Sequence, residues 1–311
     1  MRHRDEHNQA ATTPFGFLVL DKPAGLTSHN CVSRVRRAYG LKRVGHGGTL
    51  DPAVTGVLPI ALGPATRLLP YLSGDKTYRG VVQLGLTTSS DDLDGEVLQR
   101  SPVPNDLDRE ALEAALEAFR GPIQQVPPQV SAVHVDGVRA YQRARRGEAM
   151  ELAARPVTIH RLTLLGFDLA RGQLELEVHC SAGTYIRSLA RDLGAVLGTG
   201  GALASLRRTG ALGFDLDDAV SWEALDPQAL AAGAPLPDLR SPLAALNHLA
   251  RQQLDAGELE GWRCGRQLQA QQAWEPGTPV VVTTPGGELA GVASTSESGT
   301  LQPKLVLDAA G

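Results

Sequence analysis

The chain has 311 residues, 42% of them hydrophobic and 21% charged, with a net charge of −4. Such a composition builds a full core and suits one large domain plus a small one. No apolar run approaches the roughly 18–20 residues of a membrane span, which argues against a helical membrane protein. Three well-separated cysteines (Cys31, Cys180, Cys264) and eight histidines without ligand spacing argue against disulfides and a structural zinc site. The expectation is a cytoplasmic protein without a metal centre. Residues 1–14 are mainly polar, with no secretory h-region, and read as a disordered tail.

Phe15–Leu20 predicts a short strand that ends in the turn Asp21-Lys22-Pro23-Ala24-Gly25. Ser28 is placed to cap a helix running to Tyr39, with Val32 and Val35 on one face, arginines on the other and Gly40 as the stop. The chain is organised around its next stretch, Gly45-His46-Gly47-Gly48-Thr49-Leu50-Asp51-Pro52-Ala53-Val54-Thr55-Gly56-Val57-Leu58-Pro59. Its glycines admit close backbone approach, and Pro52 biases Asp51 toward an extended conformation. This pattern predicts a rigid loop that presents one acid to a nearby surface, although an ordinary glycine-rich turn fits the same residues. Val57–Leu62 would anchor the loop in a core, and Pro64–Leu72 reads as a short helix.

Lys76–Leu84 is β-branched and aromatic-rich and predicts a strand, followed by an acidic turn at Asp91–Gly95. Leu107, Ala111, Leu112, Ala115, Leu116 and Phe119 form an amphipathic helical stripe closed by Gly121-Pro122. The segment 124–151 lacks core periodicity and predicts an exposed lobe. Leu162–Leu169 and Leu174–Cys180 predict paired strands. A helix capped by Thr184 and ending near Leu197 would put Arg187 in its first turn, where a cation opposes the helix dipole. That misfit points to a functional partner rather than a choice for stability, with a solvated arginine as the alternative. Ala202–Leu206 reads as a short helix feeding a strand, Pro227–Pro242 as a linker and Leu246–Asp255 as a helix. The remainder predicts a small β module with turns at Pro285-Gly286-Gly287 and Ser296–Gly299.

Basic residues gather at Arg34, Arg36, Arg37, Lys42 and Arg43, at Arg139, Arg143, Arg145 and Arg146, and at Arg207-Arg208. Three clusters around one loop predict a track for a polyanion such as RNA, with solvated faces as the alternative.

These motifs, in this order, resemble the TruB family of tRNA pseudouridine synthases over nearly the whole chain from Phe15 onward. The resemblance is carried by the central loop, by Asp21–Gly25, Lys76-Thr77-Tyr78, Pro127-Pro128 with Ser131-Ala132, Tyr141 with Ala144-Arg145, and Gly183-Thr184-Tyr185-Ile186-Arg187. It implies a mixed α/β (α+β) fold, with a catalytic core over 15–240 built on a largely antiparallel sheet. Residues 124–151 would be an RNA-inserting lobe, and 241–311 a β-rich, PUA-like RNA-binding domain. The implied reaction is isomerisation of the T-loop uridine, position 55, in the T arm of tRNA, by a monomer that uses no cofactor and no guide RNA.

By the same resemblance Asp51 is the catalytic carboxylate, Tyr78 stacks on the target base and Arg187 positions Asp51. His46 helps hold the flipped nucleotide and Leu206 lines the base pocket. Lys22, Tyr141, Arg143 and Arg146 are expected to meet the RNA. Ser89 stands where the family often has aspartate, and His134 where lysine is usual. The chemistry agrees: moving the glycosidic bond from N1 to C5 suits an ionised carboxylate in a closed pocket. Flipping the base costs a few kcal/mol, which stacking worth roughly 1–3 kcal/mol offsets. The intact set of Asp51, Tyr78 and Arg187 argues against a non-catalytic RNA-binding protein on this scaffold.

Overall fold

The run Phe17-Leu18-Val19-Leu20 has no polar face, and it becomes a strand buried on both sides. The computed structural model describes residues 13–131, 134–135, 138–139, 143, 146 and 150–307, and places this run in β1 (Gly16–Lys22). Phe17 and Val19 pack into one apolar cluster, Leu18 and Leu20 into another, as the pleat requires. Next come α1 (Ser28–Ala38), β2 (Val44–His46) and β3 (Thr55–Leu62), which returns antiparallel to β1. The cap of α1 is Thr27 rather than Ser28: its side chain accepts from the Asn30 amide, and the Asn30 side chain accepts from the Thr27 amide. In place of one helix over Pro64–Leu72 there are two 3₁₀ turns, Gly63–Arg67 and Leu69–Tyr71. Pro70 lacks the N–H that would carry an α-helix through.

β4 (Lys76–Leu84) has the bounds read from the sequence. β5 (Leu86–Thr88) and β6 (Val97–Arg100) form a hairpin around the acidic turn. After α2 (Arg109–Glu117), capped by Asp108, comes β7 (Gly121–Gln125). Of the expected lobe at 124–151, residues 132–133, 136–137, 140–142 (Tyr141 among them), 144–145 and 147–149 lie outside the described residues. Within it β8 (His134–Val135) pairs with β9 (Val138–Arg139), and the Arg146 amide donates to the Arg143 carbonyl. β10 (Arg155–Asp168) and β11 (Gln173–Cys180) make a long hairpin. It leads to α3 (Ile186–Val196), β12 (Gly201–Ala211) and β13 (Phe214–Asp215).

The main sheet runs β1-β3-β12-β4-β11-β10-β7, with β2 and β13 attached at β3 and β12. All its pairings are antiparallel except β12 with β3. Residues 202–206, expected as helix, belong to β12. Alanine and leucine at that spacing fit either state, and the ladder to β4 from Gly201↔Leu84 to Ala211↔Lys76 decides it.

The expected linker folds into two short helices, Pro227–Ala231 and Pro242–Ala245, and Arg240 bridges to Phe17. The helix expected over Leu246–Asp255 is instead β14 (Ala250–Gln253) followed by α4 (Ala256–Arg263). Asp255 and Glu258 form a capping box that starts the helix later. β15 (Leu268–Gln269), β16 (Pro279–Thr283), β17 (Leu289–Thr295) and β18 (Thr300–Val306) complete a second sheet, ordered β14-β16-β17-β18-β15. Val281, Val292 and Leu305 of this sheet share a buried cluster with Phe17, Val19, Val57 and Ala61 of the main one. Among the described residues no helix is long and apolar enough to cross a membrane.

Candidate active site

The loop between β2 and β3 is pinned on both sides of Asp51. Ser28 Oγ accepts from the Leu50 amide at 2.9 Å and donates to the Leu50 carbonyl at 3.2 Å. On the other side the Pro52 carbonyl accepts from the Gly25 amide at 2.8 Å and from Lys22 Nζ at 3.1 Å. Leu50 and Val54 are buried and anchor the loop beneath. Asp51 itself projects into a cleft of about 640 Å³, its side chain 51% exposed.

Arg187 reaches Asp51 from α3. The helix is capped not by Thr184, which donates to the Ser181 carbonyl, but by Tyr185. The buried Gln125 locks that cap, accepting from the Tyr185 amide at 2.8 Å and donating to its carbonyl at 3.1 Å. Arg187, only 9% exposed, then places Nη2 3.0 Å from Asp51 Oδ2 and Nη1 3.4 Å from Asp92 Oδ2. It also donates to the carbonyls of Ser90 at 3.1 Å and Val130 at 3.0 Å. One turn further on, Arg191 pairs with Asp91 at 2.8 Å. Asp91 sits at φ 63, a left-handed conformation that costs strain in a non-glycine residue. Burial pushes its carboxyl up, and Arg191 pulls it back down.

The floor of the cleft is Tyr78 on β4, 7% exposed, with Leu203 and Leu206 of β12 beside it. Burial raises the Tyr78 phenol, and the Arg208 guanidinium opposes that shift. Lys76 lines the same cleft, and its ammonium is pushed down by burial and then by Arg208.

Several expected site residues take other places. Lys22 is fully buried, so it does not face RNA; Nζ donates to the carbonyls of Pro23 at 2.9 Å, Leu26 at 2.7 Å and Pro52 at 3.1 Å. It braces the loop from below. His46 lines a second, smaller cavity across Gly48 rather than the main cleft. Its Nδ1 is buried without a hydrogen-bond partner, and its imidazole is pushed below the usual range by burial, then by Arg208 and His29. The Arg207-Arg208 cluster is not a basic face. Arg207 forks onto Asp21 at 2.7 and 3.0 Å, and Arg208 is wholly buried. Arg34 is likewise used internally, stacking on Trp222 and donating to the Leu225 carbonyl. Arg143 is half-buried and Arg146 exposed.

Ser89 closes the acidic turn by accepting from the Glu96 amide at 3.1 Å. Sequence reasoning missed Asp91, Asp92 and Arg191. The available signal was an acidic doublet in a turn and two arginines at i and i+4, spaced to share one helix face. The arrangement holds the half-exposed carboxylate of Asp51 over an aromatic floor, with a guanidinium fixing its direction.

A family profile described as TruB family pseudouridylate synthase, N-terminal domain, matches residues 36–186. A second, tRNA pseudouridylate synthase B C-terminal domain, matches 187–247. A protein of Parasynechococcus marenigrum (strain WH8102) named tRNA pseudouridine synthase B is 66% identical over 96% of this chain and 99% of its own. A protein of the same name from Synechococcus sp. (strain WH7803) is 60% identical over 96% of this chain and 100% of its own. Among solved structures, an archaeal box H/ACA sRNP Nop10–Cbf5 complex superposes with TM-score 0.68 and 25% identity, covering 94% of this chain and 86% of that one. An H/ACA RNP bound to a substrate RNA containing 2′-deoxyuridine gives TM-score 0.71 at 23% identity, over 94% and 84%. The matched profiles take in the Asp51 loop, the Tyr78 strand and the Arg187 helix, and with relatives this close over nearly its full length the chain belongs to the TruB family of pseudouridylate synthases.

Proposed function

We propose that the protein isomerises the T-loop uridine of tRNA, position 55, to pseudouridine, in the cytoplasm and without guide RNA. The observation that carries this reading is the 3.0 Å contact between Arg187 and a half-exposed Asp51 above Tyr78. The names of the relatives, tRNA pseudouridine synthase B, support tRNA as the substrate. In the reaction the N1–C1′ bond breaks and C5–C1′ forms; C5 loses a proton and N1 gains one. Composition and oxidation state are unchanged, so the reaction calls for neither a redox cofactor nor a co-substrate.

Each residue then has a task. Tyr78 stacks on the flipped uracil and Leu206 closes the pocket beside it. Asp51, aimed by Arg187, supplies the negative charge that attacks or stabilises C1′ as the base departs. His46 supports the flipped nucleotide from the neighbouring cavity. Arg143, Arg146 and Tyr141 belong to the lobe that meets the T arm, and the C-terminal sheet adds a PUA-like RNA surface.

Asp51→Asn tests the reading. It removes the charge at nearly constant volume, so tRNA affinity should stay within a few-fold of wild type while pseudouridine formation disappears. Carbodiimide-dependent reverse-transcription stops on an unmodified transcript report the product. A folded Asp51→Asn protein that still modifies tRNA in a single turnover overturns the assignment.

A further inference from the structure

Arg208 lies where three strands meet. In register it faces Gly56 of β3 and Tyr78 of β4, and its side chain is 0% exposed. Gly56 has φ 103, and a Cβ there would stand 2.1 Å from the Arg208 carbonyl oxygen, so this crossing is as tight as backbone allows. Nε donates to the Val57 carbonyl at 2.7 Å and Nη2 to the Gly48 carbonyl at 3.1 Å. Those two carbonyls flank the loop that carries Asp51.

A buried guanidinium is costly unless it is paired and fully bonded. Arg208 has no carboxylate for a partner among the described residues; the charge that favours its ionised form is the Tyr78 phenol. Bracing the loop occupies Nε and Nη2 only. Nη1 is left over, buried and without an aligned acceptor, close beneath Gly48. A brace alone does not explain this third group, since a neutral amide could hold a carbonyl without burying a charge.

We propose that Arg208 is a positioning residue that holds the Asp51 loop from below and keeps Nη1 for the Tyr78 hydroxyl, fixing the tilt of the ring on which the uracil stacks. Hydrogen bonds of this kind are often poorly aligned in a free enzyme and tighten when substrate fills the site. The mutual influence of guanidinium and phenol on each other's ionisation agrees with that proximity. The proposal rests on the reading of Tyr78 as the stacking residue, and adds what orients it.

The test uses the full chain with an unmodified tRNA transcript, at single turnover and saturating protein. Arg208→Lys keeps a charge but gathers its donors on one nitrogen, so it cannot span the Val57 and Gly48 carbonyls and the Tyr78 hydroxyl as the planar guanidinium does. The rate should fall about 10-fold or more while tRNA Kd stays within a few-fold. In a Tyr78→Phe background the same change should cost less than about 2-fold further, because the hydroxyl it acts through is gone. Effects that multiply in the double variant would overturn the proposal and leave Arg208 a brace. A second readout needs no Arg208 variant: in ¹⁵N-arginine-labelled protein, the Arg208 Nε–H signal should shift on Tyr78→Phe. An unmoved signal overturns the proposal even where Arg208→Lys fails to fold. Wild type runs alongside, and its failure to make pseudouridine would count against the proposed function rather than against Arg208.

Discussion

The two walls of the cleft hold their charges by different means. On the helix wall, Arg187 is answered by Asp51 and Asp92 and Arg191 by Asp91 and Asp192, so that each cation has two carboxylates. Under the loop wall, Lys22 and Arg208 are buried and answered mainly by backbone carbonyls. Ion pairs that include a half-exposed carboxylate can be rearranged when a substrate enters. Carbonyls fixed in strands and turns cannot. On the helix wall Arg187 keeps the carbonyls of Ser90 and Val130 and can exchange a carboxylate partner, whereas the loop wall has only fixed partners and serves as a frame.

Among variants of the two walls, removing Arg187 should give the largest effect on turnover, short of the complete loss expected for Asp51→Asn. Arg187→Met leaves Asp51 without its guide, and an acid displaced by an ångström loses about 100-fold in single-turnover rate. Affinity for tRNA should change only a few-fold, and Arg187→Lys should fall between, since it keeps charge without the planar fork. A rate unchanged in Arg187→Met would mean that the helix wall does not act on the acid at all.

Lys22→Met probes the opposite wall and should act on stability first. It strips three carbonyls of a charged donor, for a loss of about 1.5–3 kcal/mol read from urea unfolding. The rate should fall less than in Arg187→Met. Equal losses of rate and stability in the two variants would erase the distinction between the walls.

The smallest effect concerns His46, beside the loop wall. Burial holds its folded-state imidazole below the usual range, so the unfolded chain takes up the proton first as pH falls below about 6.5. The protein gains its full stability from this group above that pH and loses it as pH drops through the lower, folded-state value. His46→Gln should flatten the acid side of a stability–pH curve measured by denaturant unfolding. An unchanged curve would show that the imidazole is solvated in the folded protein.

Much of the fold and the site is legible in the residues, and some of it is not. The loop around Asp51, the bounds of β4 and the hairpin turns of the C-terminal sheet follow from local chemistry. The misplaced cation at a helix start marks Arg187 as needing a partner, and that the partner is Asp51 is implied by the family resemblance alone. Part of β12 misleads because Ala202, Leu203 and Leu206 fit a helix as well as a strand, and only the ladder to β4 decides. Arg208 misleads because a basic pair looks the same in sequence whether it faces solvent or a strand crossing. Lys22 misleads because a lysine in a turn reads as a contact for RNA, and nothing in the sequence marks it as one that never meets solvent. Asp92 looks like part of a solvated turn until Arg187 arrives from a helix some ninety residues away.

The double-sided burial of β1 makes its alignment vulnerable. A strand with one polar face resists a one-residue slip because every core side chain would be turned to water. In β1 a slip would only exchange Phe17 and Val19 for Leu18 and Leu20, apolar for apolar. What forbids it lies along its edges and at its end: Phe17 exchanges backbone bonds with Arg240 at 2.7 and 3.0 Å, Asp21 is gripped by Arg207, and Lys22 is tied to three carbonyls. The last of those carbonyls belongs to Pro52, the neighbour of Asp51. Slipping β1 by one residue, about 3.3 Å, would break that tie and take one brace from beneath the acid while leaving two apolar cores largely filled. A misaligned molecule would thus be compact with a loosened site, and Arg240, Arg207 and Lys22 are the residues that tell the two alignments apart.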